Sequence, residues 1–202
     1  MSQNQRQITP TLILGSSSPY RRELLSKLGL TFEAIAPDID ETPFDNESPS
    51  ELVGRLALEK AQAIAGKHHN ALIIGSDQVA VIDDCIITKP HEHDKAVSQL
   101  RQASGRKVTF LTSLCLYNSQ THQHQATIAT YYVNFLELSD TQIENYLTKE
   151  KPYNCAGSFK SEGLGITLFS SLEGNDPNSL IGLPLIELTK MLRNEGLDPL
   201  GL

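Results

Sequence analysis

The turn Gly15-Ser16-Ser17-Ser18-Pro19-Tyr20-Arg21-Arg22 follows a short apolar run and opens a helical pattern, and it is well suited to hold an anion. A Gly/Ser-rich turn entering a helix leaves backbone N–H groups free at the positive end of the helix dipole, where phosphate oxygens can accept from them. Serine hydroxyls, Ser16 among them, add donors, and an arginine in the first turn adds a planar fork for phosphate. Arg21 lies three and four residues before Leu24 and Leu25, hence toward the packed side, while Arg22 faces solvent. The turn is not a G-x-x-x-x-G-K-[ST] loop, so a second reading stays open: a serine-rich helix cap with a solvated arginine.

Lys60 is the second candidate. At roughly 100° per residue, Leu52, Leu56, Ala63 and Ile64 define one apolar stripe, and Lys60 falls about 80° from Leu52, inside it. A buried ammonium is costly unless paired. The lysine therefore either snorkels at the stripe's edge or points into a cleft to meet an anion. Asp77 follows the apolar run Ala71–Ser76 and is expected at the C-terminal end of a strand, the edge where ligands gather in α/β folds. A carboxylate there can take a proton from water or help to hold a metal; equally, it can be a turn residue entering a hairpin. Lys89, in Thr88-Lys89-Pro90, and the acidic loop with Asp38, Asp40 and Glu41 complete the set. The histidines at 68, 69, 91, 93, 122 and 124 lie in polar segments, form no H-E-x-x-H, and are expected at the surface. The loop Gly157-Ser158-Phe159-Lys160-Ser161-Glu162-Gly163-Leu164-Gly165 either faces a substrate or is an ordinary connection.

Placing these residues requires a frame. Strands are expected at Thr11–Gly15, Thr31–Ala36 and Ala71–Ser76, alternating with helices over Pro19–Leu28 and from the Ser48–Glu51 capping box to about Lys67. Val79–Ile82 and Cys85–Thr88 read as a hairpin about Asp83-Asp84. A helix over Asp94–Ala103 precedes two long β-rich runs, Lys107–Tyr117 and Gln125–Leu136. A second capping box at Ser139–Gln142 opens a helix to Glu150; a strand at Ile166–Phe169 and a helix at Pro184–Glu195 follow. Early alternation with antiparallel strands in the middle predicts a mixed-sheet α/β fold. Residues 1–10 read as a disordered lead-in and 11–202 as a single domain.

With 39% hydrophobic residues among 202, the chain can bury a core without disulfides. Cys85, Cys115 and Cys155 stand thirty residues apart, which matches neither a disulfide framework nor a cysteine zinc site. No apolar run approaches the roughly 18 residues of a membrane span, and no signal-peptide core is present, so a cytoplasmic location is expected. A net charge of −7 argues against nonspecific nucleic-acid binding, and it means that an anionic substrate must be held by a local cluster of cations.

In order along the chain, Ser-Ser-Ser-Pro-Tyr-Arg (16–21), Asp-Glu-Thr (40–42), Glu-Lys-Ala (59–61), Gly-Ser-Asp-Gln-Val (75–79), Lys-Pro (89–90) and Cys-Ala-Gly-Ser (155–158) resemble the Maf family of nucleotide pyrophosphatases. The likeness runs from Leu12 to Leu200. Gly-Ser-Phe-Lys-Ser-Glu-Gly (157–163) and the segment Leu172–Asn178 resemble the branch that hydrolyses 7-methyl-GTP rather than the sister branch acting on dTTP and UTP. The resemblance implies an α/β fold of the inosine-triphosphatase-like kind with a deep cleft, a homodimer, and hydrolysis of a nucleoside triphosphate to pyrophosphate with Mg²⁺ or Mn²⁺. It implies that Asp77 is the proton acceptor, and that Ser16, Arg21, Lys60 and Lys89 are phosphate ligands. Glu41, with Asp77, becomes a carboxylate for metal or water positioning. Tyr20, Gln78 and Glu162 become the residues that select the base. Thr88 departs from the pattern, since much of the family has glycine before the lysine.

On this expectation Arg21, Lys60 and Lys89 converge around Asp77 and grip a polyphosphate. The cationic 7-methylguanine ring would be drawn to the face of Tyr20, with its N–H groups bonded to Glu162. A regulator of division that binds nucleotide without chemistry would use the same cleft, although a pure anion binder gains nothing from Asp77. A transferase would need an acceptor site for which the sequence offers no residues.

Overall fold

The protein is described by a computed structural model covering residues 10–201. All of the expected lead-in except Pro10 lies outside the described residues. The chain forms a seven-stranded mixed sheet of order β2-β1-β3-β5-β6-β7, with β4 paired to β3. The strands are β1 Thr11–Gly15, β2 Glu33–Ile35, β3 Ala71–Ile82, β4 Cys85–Ile87, β5 Lys107–Asn118, β6 Gln123–Phe135 and β7 Phe169–Glu173. The helices are α1 Pro19–Ser26, α2 Pro49–Ala65, α3 His93–Ala103, α4 Asp140–Glu150, α5 Pro177–Ile181 and α6 Leu185–Asn194.

The expected division of the sheet is observed. β1 runs parallel to both β2 and β3, because α1 and α2 supply the long return that parallel pairing requires. From β3 onward the pairing is antiparallel. Both anticipated capping boxes form, Ser48 with Glu51 on α2 and Ser139 with Gln142 on α4. Alternation along β1 and β3 sorts the core by face. Leu12, Leu14, Leu72 and Ile74 pack with Leu24 and Leu25 of α1 and Leu188 and Leu192 of α6. Ile13 and Ile73 pack on the other face with Ala57, Ala61 and Ile64 of α2. Farther along the sheet, Ala80, Ile82, Val108 and Phe110 lie under α3 and α4. Among the described residues no helix is long and apolar enough to cross a membrane.

Two expectations are corrected, and one element is added to them. β3 does not stop at Ser76; β5 pairs it without a break from Leu72↔Asn118 to Val81↔Thr109, and that ladder carries the chain through Gly75-Ser76-Asp77. The strand expected at Ile166–Phe169 is a 3-10 helix, Leu164–Leu168, with β7 beginning at Phe169. The chain there folds back so closely that a Cβ on Gly165 would lie 2.2 Å from the Lys160 carbonyl oxygen, too tight for an extended path. The short α5, capped by Asp176, was not anticipated.

The unbroken β3 creates the feature that matters for function. Its parallel partner β1 ends at Gly15↔Gly75, and its hairpin partner β4 begins at Ala80↔Ile87. Ser76–Val79 therefore has β5 along one edge and a notch between two strand ends along the other.

Candidate active site

Asp77 lies in this notch, in mid-strand, two residues past the end of β1. Its backbone N–H donates to Ser113 Oγ at 3.0 Å, and that hydroxyl donates onward to the Val53 carbonyl of α2 at 2.6 Å. Lys60 approaches from α2. A Cβ on Gly75 would meet the Ala57 carbonyl oxygen at 1.9 Å, so glycine is required for the helix to lie this close to the strand. The close packing lets Lys60, 5% exposed, extend along the apolar face and place Nζ 2.6 Å from Asp77 Oδ1. The same ammonium lies 2.8 Å from Glu41 Oε1 of the acidic loop. Lys60 thus points to carboxylates instead of snorkelling out, and the cost of burying it is offset by a charge-assisted hydrogen bond to Asp77 and an ion pair with Glu41.

Arg21 lies on α1, which packs on the opposite face of the sheet from α2. It is half-buried, as its spacing from Leu24 and Leu25 predicts, while Arg22 is exposed. Its Nε donates to the Gly182 carbonyl at 2.8 Å, and Ser76 Oγ donates to the same oxygen at 3.1 Å. Gly182 has φ of 130°, a conformation open to glycine, and this turn after α5 aims its carbonyl at both donors. Burial lowers the pKa of Arg21, and the charges of Asp77 and then Glu41 oppose that shift. Ser16, at the end of β1, is buried, and its Oγ accepts the Ser18 N–H at 3.1 Å; Ser18 in turn caps α1.

A second group gathers around Tyr20. The Cys155 Sγ is 3.9 Å from the Tyr20 hydroxyl oxygen, bringing the first turn of α1 against the loop that follows α4. Burial, then the neighbouring Cys155, raises the Tyr20 pKa. Burial likewise raises that of the Cys155 thiol, while the charges of Lys160 and Lys89 lower it. Lys160 is held high in pKa: burial disfavours its charge, but Tyr20, Cys155 and Glu150 outweigh that effect. Glu162 is exposed and adds its field at Tyr20. Lys89 is exposed and acts on this second group, whereas the charges acting on Arg21 are those of Asp77 and Glu41. Of the three expected cations only Lys60 contacts Asp77; Arg21 is bonded to Gly182 and feels the Asp77 charge from farther off, and Lys89 stands beside the Tyr20 group.

Gln78 faces away from Asp77. Its amide nitrogen lies within bonding distance of Thr112 Oγ1 at 2.8 Å and the Ser179 and Leu180 carbonyls at 2.9 and 3.0 Å, tying β3 to α5. Only its side-chain oxygen is left for a ligand. The loop from Gly157 is no loose connection, because Phe159 inserts edge-on between Phe110, Phe135 and Phe169 at centroid distances of 5.3, 5.5 and 4.8 Å. Lys160, which follows, is a site neighbour that the sequence reading left unweighted; its adjacency to Phe159 was the available signal. His93 departs from the surface expectation: it is half-buried, with Nδ1 3.0 Å from the Tyr153 hydroxyl and Nε2 2.9 Å from Glu144.

Among the described residues no cluster of three or more His, Cys, Asp or Glu forms a ready-made metal cage. Glu41 and Asp77 each bring one carboxylate oxygen to the Lys60 ammonium, at 2.8 and 2.6 Å.

The Maf-like protein family matches residues 11–195 of the chain. The 7-methyl-GTP pyrophosphatase of Colwellia psychrerythraea is 56% identical over 190 residues, covering 94% of this chain and 95% of that one. The 7-methyl-GTP pyrophosphatase of Nitrosococcus oceani is 55% identical over 187 residues, 93% and 94% of the two chains. The protein of the same name from Alcanivorax borkumensis is 57% identical over 190 residues, 94% and 96%.

Proposed function

The chain belongs to the Maf family, and from that premise we propose that it is a nucleoside triphosphate pyrophosphatase that hydrolyses 7-methyl-GTP to 7-methyl-GMP and pyrophosphate. The observation carrying this reading is the 2.6 Å contact of the buried Lys60 with Asp77, whose charge also acts on Arg21. A carboxylate paired with a buried lysine, and within the field of Arg21, supports hydrolysis, since a passive anion binder gains nothing from Asp77.

In the free protein Lys60 is shared between Asp77 and Glu41. An incoming triphosphate offers the ammonium new anionic partners, and Arg21 and Ser16 Oγ bind phosphate oxygens beside it. With Lys60 turned toward phosphate, Asp77 Oδ1 is free to accept a proton from the water that attacks the α-phosphorus. The bond from that phosphorus to the bridging oxygen breaks, and pyrophosphate leaves with the electron pair. Charges held in place by the fold stabilise the developing charge, worth roughly 2.7–4 kcal/mol for one such donor. Glu41 and Asp77 would hold a Mg²⁺ or Mn²⁺ ion, which supplies charge neutralisation at the phosphates when bound. Tyr20 and Glu162 select the base, the ring face attracting the methylated cation by about 0.5–2 kcal/mol, and Lys89 binds phosphate from the outer wall.

The test is pyrophosphate release by the purified protein with Mg²⁺ or Mn²⁺ from 7-methyl-GTP, GTP, UTP and dTTP. The highest kcat/KM is expected for 7-methyl-GTP. Preference for UTP or dTTP would assign the sister specificity, and nucleotide binding with no pyrophosphate from any of the four would make the protein a binder only.

A further inference from the structure

We propose that Arg55 is a positioning residue for hydrolysis, clamping the acidic loop so that Glu41 is held against Lys60 and Asp77. The inference rests on the reading of this notch as a pyrophosphatase site and adds to it a residue that touches neither carboxylate nor ammonium there.

The segment from Pro37 to Glu47 has no helix or strand of its own. Within it, Asp40 Oδ1 accepts the Thr42 N–H at 2.9 Å and Glu47 Oε2 accepts the Phe44 N–H at 3.0 Å, both local bonds that shape the loop without fastening it to the core. Arg55 supplies the fastening. Its Nε and Nη2 grip both oxygens of Glu47 at 2.6 and 2.8 Å. Nη2 also donates to the Thr42 carbonyl at 3.1 Å, next to Glu41 in the chain, and the guanidinium lies 3.9 Å from the ring centroid of Phe44. Nη1 bonds Glu59 Oε2 at 3.0 Å, locking the side chain along its own helix.

Three points of one loop, at residues 42, 44 and 47, thus hang on one planar fork, and both side chains of the central pair are nearly closed to water, Arg55 at 16% and Glu47 at 7% exposure. A lysine has no such fork and could not hold all three. Arg55 and Lys60 stand five residues apart on α2, so one rigid element carries both the anchor of the loop and the target of its carboxylate. Glu41 itself is well exposed, 58% at the side chain, and its only contact in the notch is the 2.8 Å bond to Lys60. Position, not burial, makes it useful, and that position depends on the clamp.

The experiment is a double-variant cycle read as kcat/KM for pyrophosphate release from 7-methyl-GTP, with residual rates measured at high enzyme concentration. Arg55→Ala is expected to lower kcat/KM by about ten- to a hundredfold, the range a misplaced catalytic group produces. Glu41→Gln should lower it comparably. In the Glu41→Gln background Arg55→Ala should cost less than about twofold, since a clamp has nothing left to position. Equal losses in both backgrounds would overturn the proposal by making Arg55 a general stabiliser, and so would no loss from either single variant. Should Arg55→Ala fail to fold, Glu47→Gln, which cuts the clamp from the loop side, decides by the same cycle. A wild-type protein that binds nucleotide but releases no pyrophosphate would refute the underlying reading itself, an outcome distinct from an active wild type with additive variants.

Discussion

Around Asp77 the central pair comes from regular elements and is already partnered, with Glu41 alone supplied by a loop. Lys60 is on a helix, Asp77 on a strand, and the contact between them is set by a helix packed so tightly that only Gly75 fits beneath it. Around Tyr20 the groups come from the loop after α4, Glu162 and Lys89 are exposed, and the contact joining the two sides is a 3.9 Å approach of a hydroxyl and a thiol. Among the described residues, moreover, no buried side-chain nitrogen or oxygen is without a partner. On the proposed reading the reactive end is thus organised before substrate arrives, at the expense of holding Lys60 between two carboxylates. The end proposed to select the base leaves Glu162 and Lys89 exposed to water. Preorganisation lowers the barrier of a step common to all nucleotides, whereas a loop can be altered to change the base without disturbing that step.

This contrast predicts that substitutions in the notch abolish turnover for every nucleotide, while those in the loop change which nucleotide is used. The largest effect is expected at Asp77. Asp77→Asn keeps the size of the side chain and its strand pairing but removes the basic oxygen, and kcat should fall by about a hundred- to ten-thousandfold with unaltered circular dichroism. A variant with more than about a tenth of wild-type kcat would exclude Asp77 as the essential base and leave the notch a binding site.

Next in size is Lys60→Met. Losing a preorganised cation should cost about a hundredfold or more in kcat/KM. It also leaves Asp77, 13% exposed at its side chain, without its 2.6 Å partner, so the protein should be destabilised. A loss on the order of 2 kcal/mol would lower Tm by about 4–8 °C. Adding Asp77→Asn to Lys60→Met should recover part of that Tm and none of the activity. Recovery of activity as well would exclude Asp77 as the essential base.

At the other end, Glu162→Gln should leave the rate with the poorer nucleotides nearly unchanged and reduce the preference for 7-methyl-GTP over UTP. A hydrogen bond to a charged acceptor is worth about 1.5–3 kcal/mol, so the preference should shrink by roughly ten- to a hundredfold. Equal losses for 7-methyl-GTP and UTP would erase the distinction between the two ends.

The same contrast explains what could be read from the residues beforehand. Periodicity placed Lys60 inside an apolar stripe and Arg21 on the packed side of its helix, because each belongs to an element whose geometry repeats. It failed at β3, where Gly75-Ser76-Asp77 has the composition of a turn; the strand continues only because β5, more than thirty residues later, pairs across it. The notch could not be foreseen for the same reason, being defined by where two other strands stop. Gly182 and Arg55 were passed over because neither carries chemistry of its own. The role of each is to aim another group, and that direction exists only in three dimensions.

The smallest effect concerns the front of the notch and separates stability from chemistry. Hydrogen bonding to Arg55 holds the Glu47 carboxyl at a pKa of about 2, against an ordinary value of 4.5. A carboxyl whose pKa is lower folded than unfolded contributes stability that is fully present above the unfolded value and is lost as pH falls through the folded one. The clamp should therefore stabilise the protein above pH 4.5 and fade between there and about pH 2. In Glu47→Gln that contribution is absent at every pH, so the wild-type advantage in Tm at pH 6 should narrow as the pH is lowered through this window. An advantage independent of pH would mean that Glu47 stabilises through packing alone. In that event the loop bearing Glu41 is held by contacts other than the ionised pair, and the reactive end is less dependent on its charged clamp than the geometry implies.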